Sequence, residues 1–227
     1  MRVSSCEDGN DILYGVSEFS PEYKWVFENA CYSLEDGSYT KRFSKDTPNI
    51  SVIRKNWENY AEEMFAQMGY FRTPRWEEAL LGFIDRINGH DICWWLTGSC
   101  AACVRGVDIN PHDVDIILRS EDISTMNQLF ADCIVEPIIN MKNWVAANFG
   151  VMFMDARIDL AFDPEDFVDN PDPVDFGPYA MRNLEDVNWK GHTVRVPPLE
   201  LQMQVNKRRG RDDRVAAIEK YLQNQSC

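Results

Sequence analysis

The sequence predicts an α/β protein of the α+β kind, with a mixed β-sheet and flanking helices, a helical N-terminal region and a helical C-terminal end. Three observations predict it. In the first 90 positions apolar residues recur at three- and four-residue steps; from position 92 they come as short runs separated by turns; after Pro197-Pro198 helix-forming residues return. The expected organisation is a helical region over residues 1–90, a sheet-containing core over 91–198 and C-terminal helices over 199–227.

Ser20 and Pro21 read as an N-cap and first helical residue, opening a helix through Trp25, Val26 and Ala30. Between Val52 and Met68 the residues Trp57, Tyr60, Ala61, Met64, Phe65 and Met68 fall on one helical stripe. Thr73-Pro74 opens a third helix whose stripe is Trp76, Leu80, Phe83, Ile84 and Ile87, and Gly89 stops it. These stripes are packing faces. Residues 92–96, 114–118, 134–139, 149–154 and 158–162 read as strands, with a helix near 123–130 between two of them. Lys190-Gly191 between residues 187–189 and 193–196 marks a hairpin. Leu199, Leu201, Met203 and Val205 alternate as in a strand, but Leu, Glu, Gln, Met, Lys and Arg after a proline pair favour a helix. Gly210 ends it, and Asp212 caps a last helix bearing Val215, Ile218 and Leu222 on one face.

Composition narrows the function classes. The chain has 227 residues, 44% hydrophobic and 26% charged, with a net charge of −14. An acidic chain repels a phosphate backbone, so long nucleic acid is a poor partner, and a DNA-binding role for the N-terminal helices is disfavoured. A cationic small molecule or a basic protein remains admissible. The segment Met1 to Asp11 carries Arg2, Glu7, Asp8 and Asp11 and lacks the apolar stretch of a secretory signal. The longest apolar-rich stretch, Ile92 to Val104, is too short to span a bilayer. Seven scattered cysteines, an odd count, point to a reducing compartment rather than a disulfide framework. The expectation is a cytoplasmic protein with no membrane association. Cys100-Ala-Ala-Cys103 has redox or zinc spacing, but there is no second such pair and only three histidines, so free buried thiols are expected.

The stretch that carries chemistry begins at Trp94-Trp95-Leu96-Thr97-Gly98-Ser99 and continues to His112-Asp113-Val114-Asp115-Ile116-Ile117-Leu118. On a strand, Val114, Ile116 and Leu118 share the core face while Asp113 and Asp115 sit side by side on the other. Paired carboxylates repel, and a divalent cation relieves the repulsion; oxygen ligands suit magnesium. Arg157-Ile158-Asp159-Leu160-Ala161-Phe162 repeats the geometry, and an adjacent strand would bring Asp159 beside the pair. Gly98-Ser99 follows a strand and opens a short segment of helical potential, where backbone N–H groups and the serine hydroxyl suit a phosphate.

Gly98-Ser99, thirteen intervening residues and Asp113-Val114-Asp115 resemble the signature of the DNA polymerase β-like nucleotidyltransferase superfamily: a Gly-Ser turn, a short helix and an acid–apolar–acid strand. The superfamily's third carboxylate, on a later strand, matches Asp159. Arg105-Gly106 ahead of His112-Asp113-Val114-Asp115 is similar in layout to the small lincosamide and aminoglycoside nucleotidyltransferases. So is the tail from Pro198-Leu199-Glu200 through Lys207-Arg208-Arg209-Gly210-Arg211-Asp212-Asp213. The resemblance spans roughly 92–222 and leaves out the first 90 residues. It implies a nucleotidyltransferase fold with Mg2+ held by Asp113, Asp115 and Asp159, and a nucleoside triphosphate donor, ATP first among them. The acceptor offers a hydroxyl or phosphate and is a small molecule rather than nucleic acid. Gly98 and Ser99 would hold the outer phosphates while the acceptor oxygen attacks the α-phosphorus and pyrophosphate leaves. The superfamily also contains catalytically silent members. The alternative is therefore a nucleotide sensor or protein-interaction partner, with a protein partner or homo-oligomer admissible.

Two basic positions are candidates for the triphosphate: Lys207, from the basic cluster with Arg208, Arg209, Arg211 and Arg214, and Arg105. The acids Asp163, Glu165, Asp166, Asp169, Asp172 and Asp175, interleaved with Pro164, Pro171 and Pro173, follow the Asp159 strand and form an expected acidic rim for a polyamine-like acceptor. Asp163, Glu165 or Asp159 would take the acceptor's proton. His112 reads as a turn residue.

Overall fold

Two dipeptides early in the chain, Gly9-Asn10 and Asp36-Gly37, reverse it tightly and decide the N-terminal architecture. In the computed structural model, which describes residues 1–225, strand β1 (Arg2–Asp8) pairs antiparallel with β2 (Asp11–Ser17) across the first turn, with Gly9 at φ 55°. A short helix, α1 (Lys24–Asn29), follows a turn of 3-10 helix. Then β3 (Ser33–Glu35) pairs with β4 (Ser38–Ser44) across Asp36 and Gly37, at φ 46° and 82°. Both turn residues are left-handed, as a two-residue hairpin that follows strand twist requires. The four strands form a sheet in the order β1-β2-β4-β3.

This corrects the expectation of a helical region over residues 1–90. Its second part is helical, as α2 (Ile50–Met68) and α3 (Trp76–Ile87). Residues 2–17 and 33–44 are strands because their apolar residues have period two: Ile12, Tyr14 and Val16 are buried on one face of β2, and Tyr39 and Phe43 on β4. Tyr14 stacks on Trp57 of α2 with ring centroids 4.4 Å apart. Phe27 of α1 meets Phe65 of α2 edge to face at 5.1 Å.

The core continues with β5 (Trp95–Thr97), α4 (Gly98–Cys103), β6 (Val114–Leu118), α5 (Ile123–Leu129), β7 (Ile134–Asn140), β8 (Ala146–Met154) and β9 (Ala156–Pro164). These strands form one sheet in the order β5-β6-β9-β8-β7, and β5 runs antiparallel to β6. The first strand is shorter and later than the expected 92–96, because the guanidinium of Arg195 takes the Trp94 carbonyl at 2.7 Å. Next come α6 (Pro178–Arg182) and the hairpin β10 (Glu185–Trp189) and β11 (His192–Val196), turning at Lys190-Gly191. The last elements are α7 (Leu199–Arg208) and α8 (Asp212–Gln225).

The strand-like alternation in α7 has a simple cause. Leu199 packs with Ala102, Val107 and Ile218, while Leu201 and Val205 pack with Ala180, so the helix is apolar on two sides.

The chain falls into two compact units: Met1–Asn88 with Ser124–Ile138 and Gly150–Ile158, and Gly89–Ile123 with Ile139–Phe149 and Asp159–Cys227. The first is organised around α2. Its Asn56 amide donates to the carbonyls of Ala131 and Ile134 at 2.8 and 2.9 Å, and Phe83 stacks on Phe130 at 5.5 Å. At its centre Glu136, 2% exposed, accepts from Tyr32 Oη at 3.1 Å and Lys41 Nζ at 2.6 Å. Tyr32 Oη in turn accepts from Trp57 Nε1 at 2.8 Å. Burial, and then the Glu136 charge, push the Tyr32 phenol up from its ordinary value, so it stays neutral and available as a donor.

A carboxylate buried this deeply needs its cation. Lys41→Met is expected to destabilise the protein by roughly 3 kcal/mol in urea melts, and Lys41→Met with Glu136→Gln to recover much of that loss. A single variant as stable as wild type would show that the pair is not what neutralises Glu136.

Candidate active site

The alternation that makes β6 a strand also makes it a ligand-bearing edge. Val114, Ile116 and Leu118 are buried, while Asp115 stays half-buried on the opposite face and Asp113 stands just ahead of the strand. Strand β9 repeats the arrangement, with Ile158, Leu160 and Phe162 buried and Asp159 half-buried. Because β9 lies next to β6, the three aspartates converge: one carboxylate oxygen from each lies within 4.8 Å of the other two. At that spacing two negative charges repel by about 3 kcal/mol at the effective dielectric of a protein surface. Three oxygen donors so placed fit a divalent cation such as magnesium.

Gly98, between β5 and α4, lies against this group. It sits at φ 65°, and a Cβ there would run into the Asp115 carboxylate. Both its conformation and its close approach to Asp115 therefore require glycine. Ser99 follows it and is buried. The turn is held from two sides: Thr97 Oγ1 donates to the Asp175 carbonyl at 2.7 Å, and Gln202 Nε2 donates to the Gly98 carbonyl at 2.8 Å. Behind it Cys100 Sγ reaches the Asp113 carbonyl at 3.1 Å.

The basic candidates are distributed differently from the sequence expectation. Lys207 pairs with Glu219 of α8 at 3.0 Å. Arg105 donates to Glu185 at 2.5 Å and to the Pro197 carbonyl at 3.1 Å, tying the chain after α4 to the β10–β11 hairpin. Both side chains, expected on a triphosphate, are engaged within the scaffold. Arg211 lies within electrostatic reach of Asp115 and Asp175. Desolvation, then its like-charged neighbours Arg214 and Arg209, push its guanidinium down from the ordinary value, while Asp175 and Asp115 counteract.

The acidic segment after β9 is also more ordered than a solvated rim. Asp163 accepts the Ser120 N–H at 3.0 Å and faces Arg119 at 3.8 Å. Asp169 accepts the N–H groups of Val174 and Tyr179 at 2.9 and 2.6 Å, fixing the approach to α6. Asp175 is buried, and desolvation raises its carboxyl despite Arg209, Gln202 and Arg211. Glu165, Asp166 and Asp172 remain exposed. Thr97, Asp175, Gln202 and Arg211 are the neighbours of the turn that sequence reasoning did not single out. Thr97 adjoins Gly98, Asp175 and Arg211 stand out in the sequence only as members of the acidic run and the basic cluster, and nothing in the sequence marks Gln202.

Six cysteines of the described residues are free thiols. Among the described residues no helix is long and apolar enough to cross a membrane.

The sequence matches no known family profile and no curated protein. Solved structures similar to this chain include a candidate nucleotidyltransferase from Thermotoga maritima, 21% identical, covering 64% of this chain and 91% of its own, with a TM-score of 0.47. A lincosamide antibiotic adenylyltransferase with lincomycin bound is 13% identical, covering 63% of this chain and 96% of its own, with a TM-score of 0.46. The antibiotic-resistance factor ANT(2″)-Ia is 12% identical, covering 64% of this chain and 84% of its own, with a TM-score of 0.44. The functional reading rests on the carboxylates and the turn beside them.

Proposed function

We propose that this protein is a metal-dependent nucleotidyltransferase that moves a nucleoside monophosphate from a nucleoside triphosphate, ATP first among donors, to the hydroxyl or phosphate of a small-molecule acceptor. The observation that carries the reading is the convergence of Asp113, Asp115 and Asp159 within 4.8 Å beside the left-handed Gly98 turn. The acceptor oxygen forms a bond to the α-phosphorus, the bond from that phosphorus to the bridging oxygen breaks, and pyrophosphate leaves. Bound at the three carboxylates, magnesium supplies charge neutralisation and polarises phosphoryl oxygens.

The chain's own residues do the rest. Gly98 leaves room for the outer phosphates against Asp115, and Ser99 offers its backbone N–H. Arg211, with Arg209 and Arg214, provides fixed positive charge for the triphosphate in place of Lys207 and Arg105. Asp159 takes the acceptor's proton; Asp163 is already committed to Ser120 and Arg119. The exposed Glu165, Asp166 and Asp172 favour a cationic acceptor of the aminoglycoside kind.

The metal site is tested by Asp113→Asn, Asp115→Asn and Asp159→Asn, taken singly. Each is expected to lower transfer by orders of magnitude in an assay with labelled triphosphates, magnesium and a panel of aminoglycosides and lincosamides. Each should also leave the metal-free melting temperature unchanged or raised, because one repelling charge is gone. Near-normal transfer by any variant, or marked destabilisation of all three, would sink the assignment. Wild-type protein that binds triphosphate without transferring it to any acceptor would favour a nucleotide sensor.

Gly98 gives a separate test. Gly98→Ala is expected to cost roughly 1 kcal/mol or more of stability from its backbone angle alone, and to weaken Mg·ATP binding by crowding Asp115. Thermal melts with and without Mg·ATP read both effects. A variant stabilised by Mg·ATP as much as wild type would remove the turn from the donor site.

A further inference from the structure

Thr97, Asp175 and Gln202 form a hydrogen-bonded brace, here called a ring, around the Gly98 turn, and all three are almost fully buried, at 4%, 5% and 1% exposed. Gln202 projects from α7. Its amide donates to the Gly98 carbonyl at 2.8 Å, and the same side chain helps to lower the Asp175 carboxyl against its burial. The Asp175 carbonyl takes the Thr97 hydroxyl at 2.7 Å. Asp175 then faces the charges of Arg209 and Arg211. The other end of the glutamine, Oε1, is buried with no hydrogen-bond partner among the described residues. Leaving such a group unpaired costs stability. The Gly98 carbonyl takes the amide's nitrogen, so the glutamine's orientation is set by it and its oxygen is left over.

The consequence follows from the planarity of one peptide. The Gly98 carbonyl and the Ser99 N–H belong to the same trans unit and point in opposite directions. Glycine at φ 65° is otherwise free to rotate that unit. Holding the carbonyl toward α7 fixes the Ser99 N–H on the side away from Gln202.

We propose that Gln202 is a positioning residue for the donor triphosphate: with Thr97 and Asp175 it fixes the Gly98–Ser99 peptide so that the Ser99 N–H is presented to the phosphates. This rests on the nucleotidyl-transfer reading above. The ring also joins the turn to the arginine cluster through Asp175, so the two parts that would grip the triphosphate move as one.

The test is equilibrium binding of Mg·ATP, read by tryptophan fluorescence at a temperature well below the melts, for wild type, Gln202→Leu, Thr97→Val and Thr97→Ser. Gln202→Leu and Thr97→Val should each bind about tenfold more weakly or worse, the worth of a lost buried hydrogen bond. Thr97→Ser, which keeps the hydroxyl, should bind as wild type does, and Mg2+ alone should bind all four alike. A merely structural ring would lower the melting temperature of Gln202→Leu while leaving its low-temperature affinity that of wild type, and that result overturns the inference. Should Gln202→Leu not fold, equal affinities for Thr97→Val, Thr97→Ser and wild type overturn it instead. Wild-type protein that binds no Mg·ATP removes the nucleotidyl-transfer reading and this inference together; wild type that binds alongside unaffected variants removes the inference alone.

Discussion

Three like charges are forced together beside one face of a sheet, and the force that holds them there is apolar burial on the sheet's other face. Val114, Ile116 and Leu118 of β6 and Ile158, Leu160 and Phe162 of β9 are all buried. Each such side chain is worth roughly 1.5–3 kcal/mol when buried. Slipping either strand by one residue would expose its whole apolar set to relieve a repulsion of about 3 kcal/mol per carboxylate pair, so the register holds and the repulsion persists. A bound cation is then favoured twice, by its own ligation and by the strain it removes. The same crowding explains why glycine stands at position 98: its left-handed angle suits glycine, and a Cβ there would meet the Asp115 carboxylate.

The arginines set up the complementary imbalance. Arg211 is depressed by desolvation and by Arg214 and Arg209, and the nearest relief comes from Asp175 and Asp115. The carboxylate group gathers like negative charges and the guanidinium group like positive ones. Under the proposed nucleotidyl-transfer reading, a metal–polyphosphate complex would match both groups at once. This local arrangement is compatible with a chain of net charge −14, because the remaining acids repel extended phosphate backbones while the cluster accepts a compact one. It also explains why losing Lys207 and Arg105 to Glu219 and Glu185 does not empty the site of positive charge.

The parts of this protein that could be read from its sequence are those whose signal is local. Strands β6, β7, β8 and β9 and helices α2, α3, α7 and α8 announce themselves by periodicity, and Asp113, Asp115 and Asp159 by their place on it. The N-terminal sheet was equally local: Gly9-Asn10 and Asp36-Gly37 flanked by alternating Ile12, Tyr14 and Val16 or by Tyr39 and Phe43 are hairpin signals. The neighbouring helical stripes obscured them. What could not be read depends on partners distant in the chain. Asp175 looks like one more acid in a run of acids; burial against Gln202 and Arg209 distinguishes it. Lys207 and Arg211 are two cations of one basic run, and the turn between α7 and α8 sets one beside Glu219 and the other within reach of Asp175 and Asp115.

Cys100 and Cys103 show how a motif's spacing can have another origin. Three residues apart on α4, both thiols point the same way, and their Sγ atoms reach the carbonyls of Asp113 and Ile109 at 3.1 and 3.2 Å. Burial first, then the charges of Cys103, Asp113 and Asp115, push the Cys100 thiol well above its ordinary value. A thiol so placed is neutral at physiological pH, and since the thiolate is the nucleophile and the metal ligand, it is poor at both roles. Its value is geometric. Cys100, Ala101 and Ala102 are small and buried, which lets α4 lie close to β5 and β6, and the Cys100 contact braces the carbonyl of the residue that carries the first carboxylate. The spacing that suggests redox or zinc chemistry thus serves the approach of the turn to the aspartates.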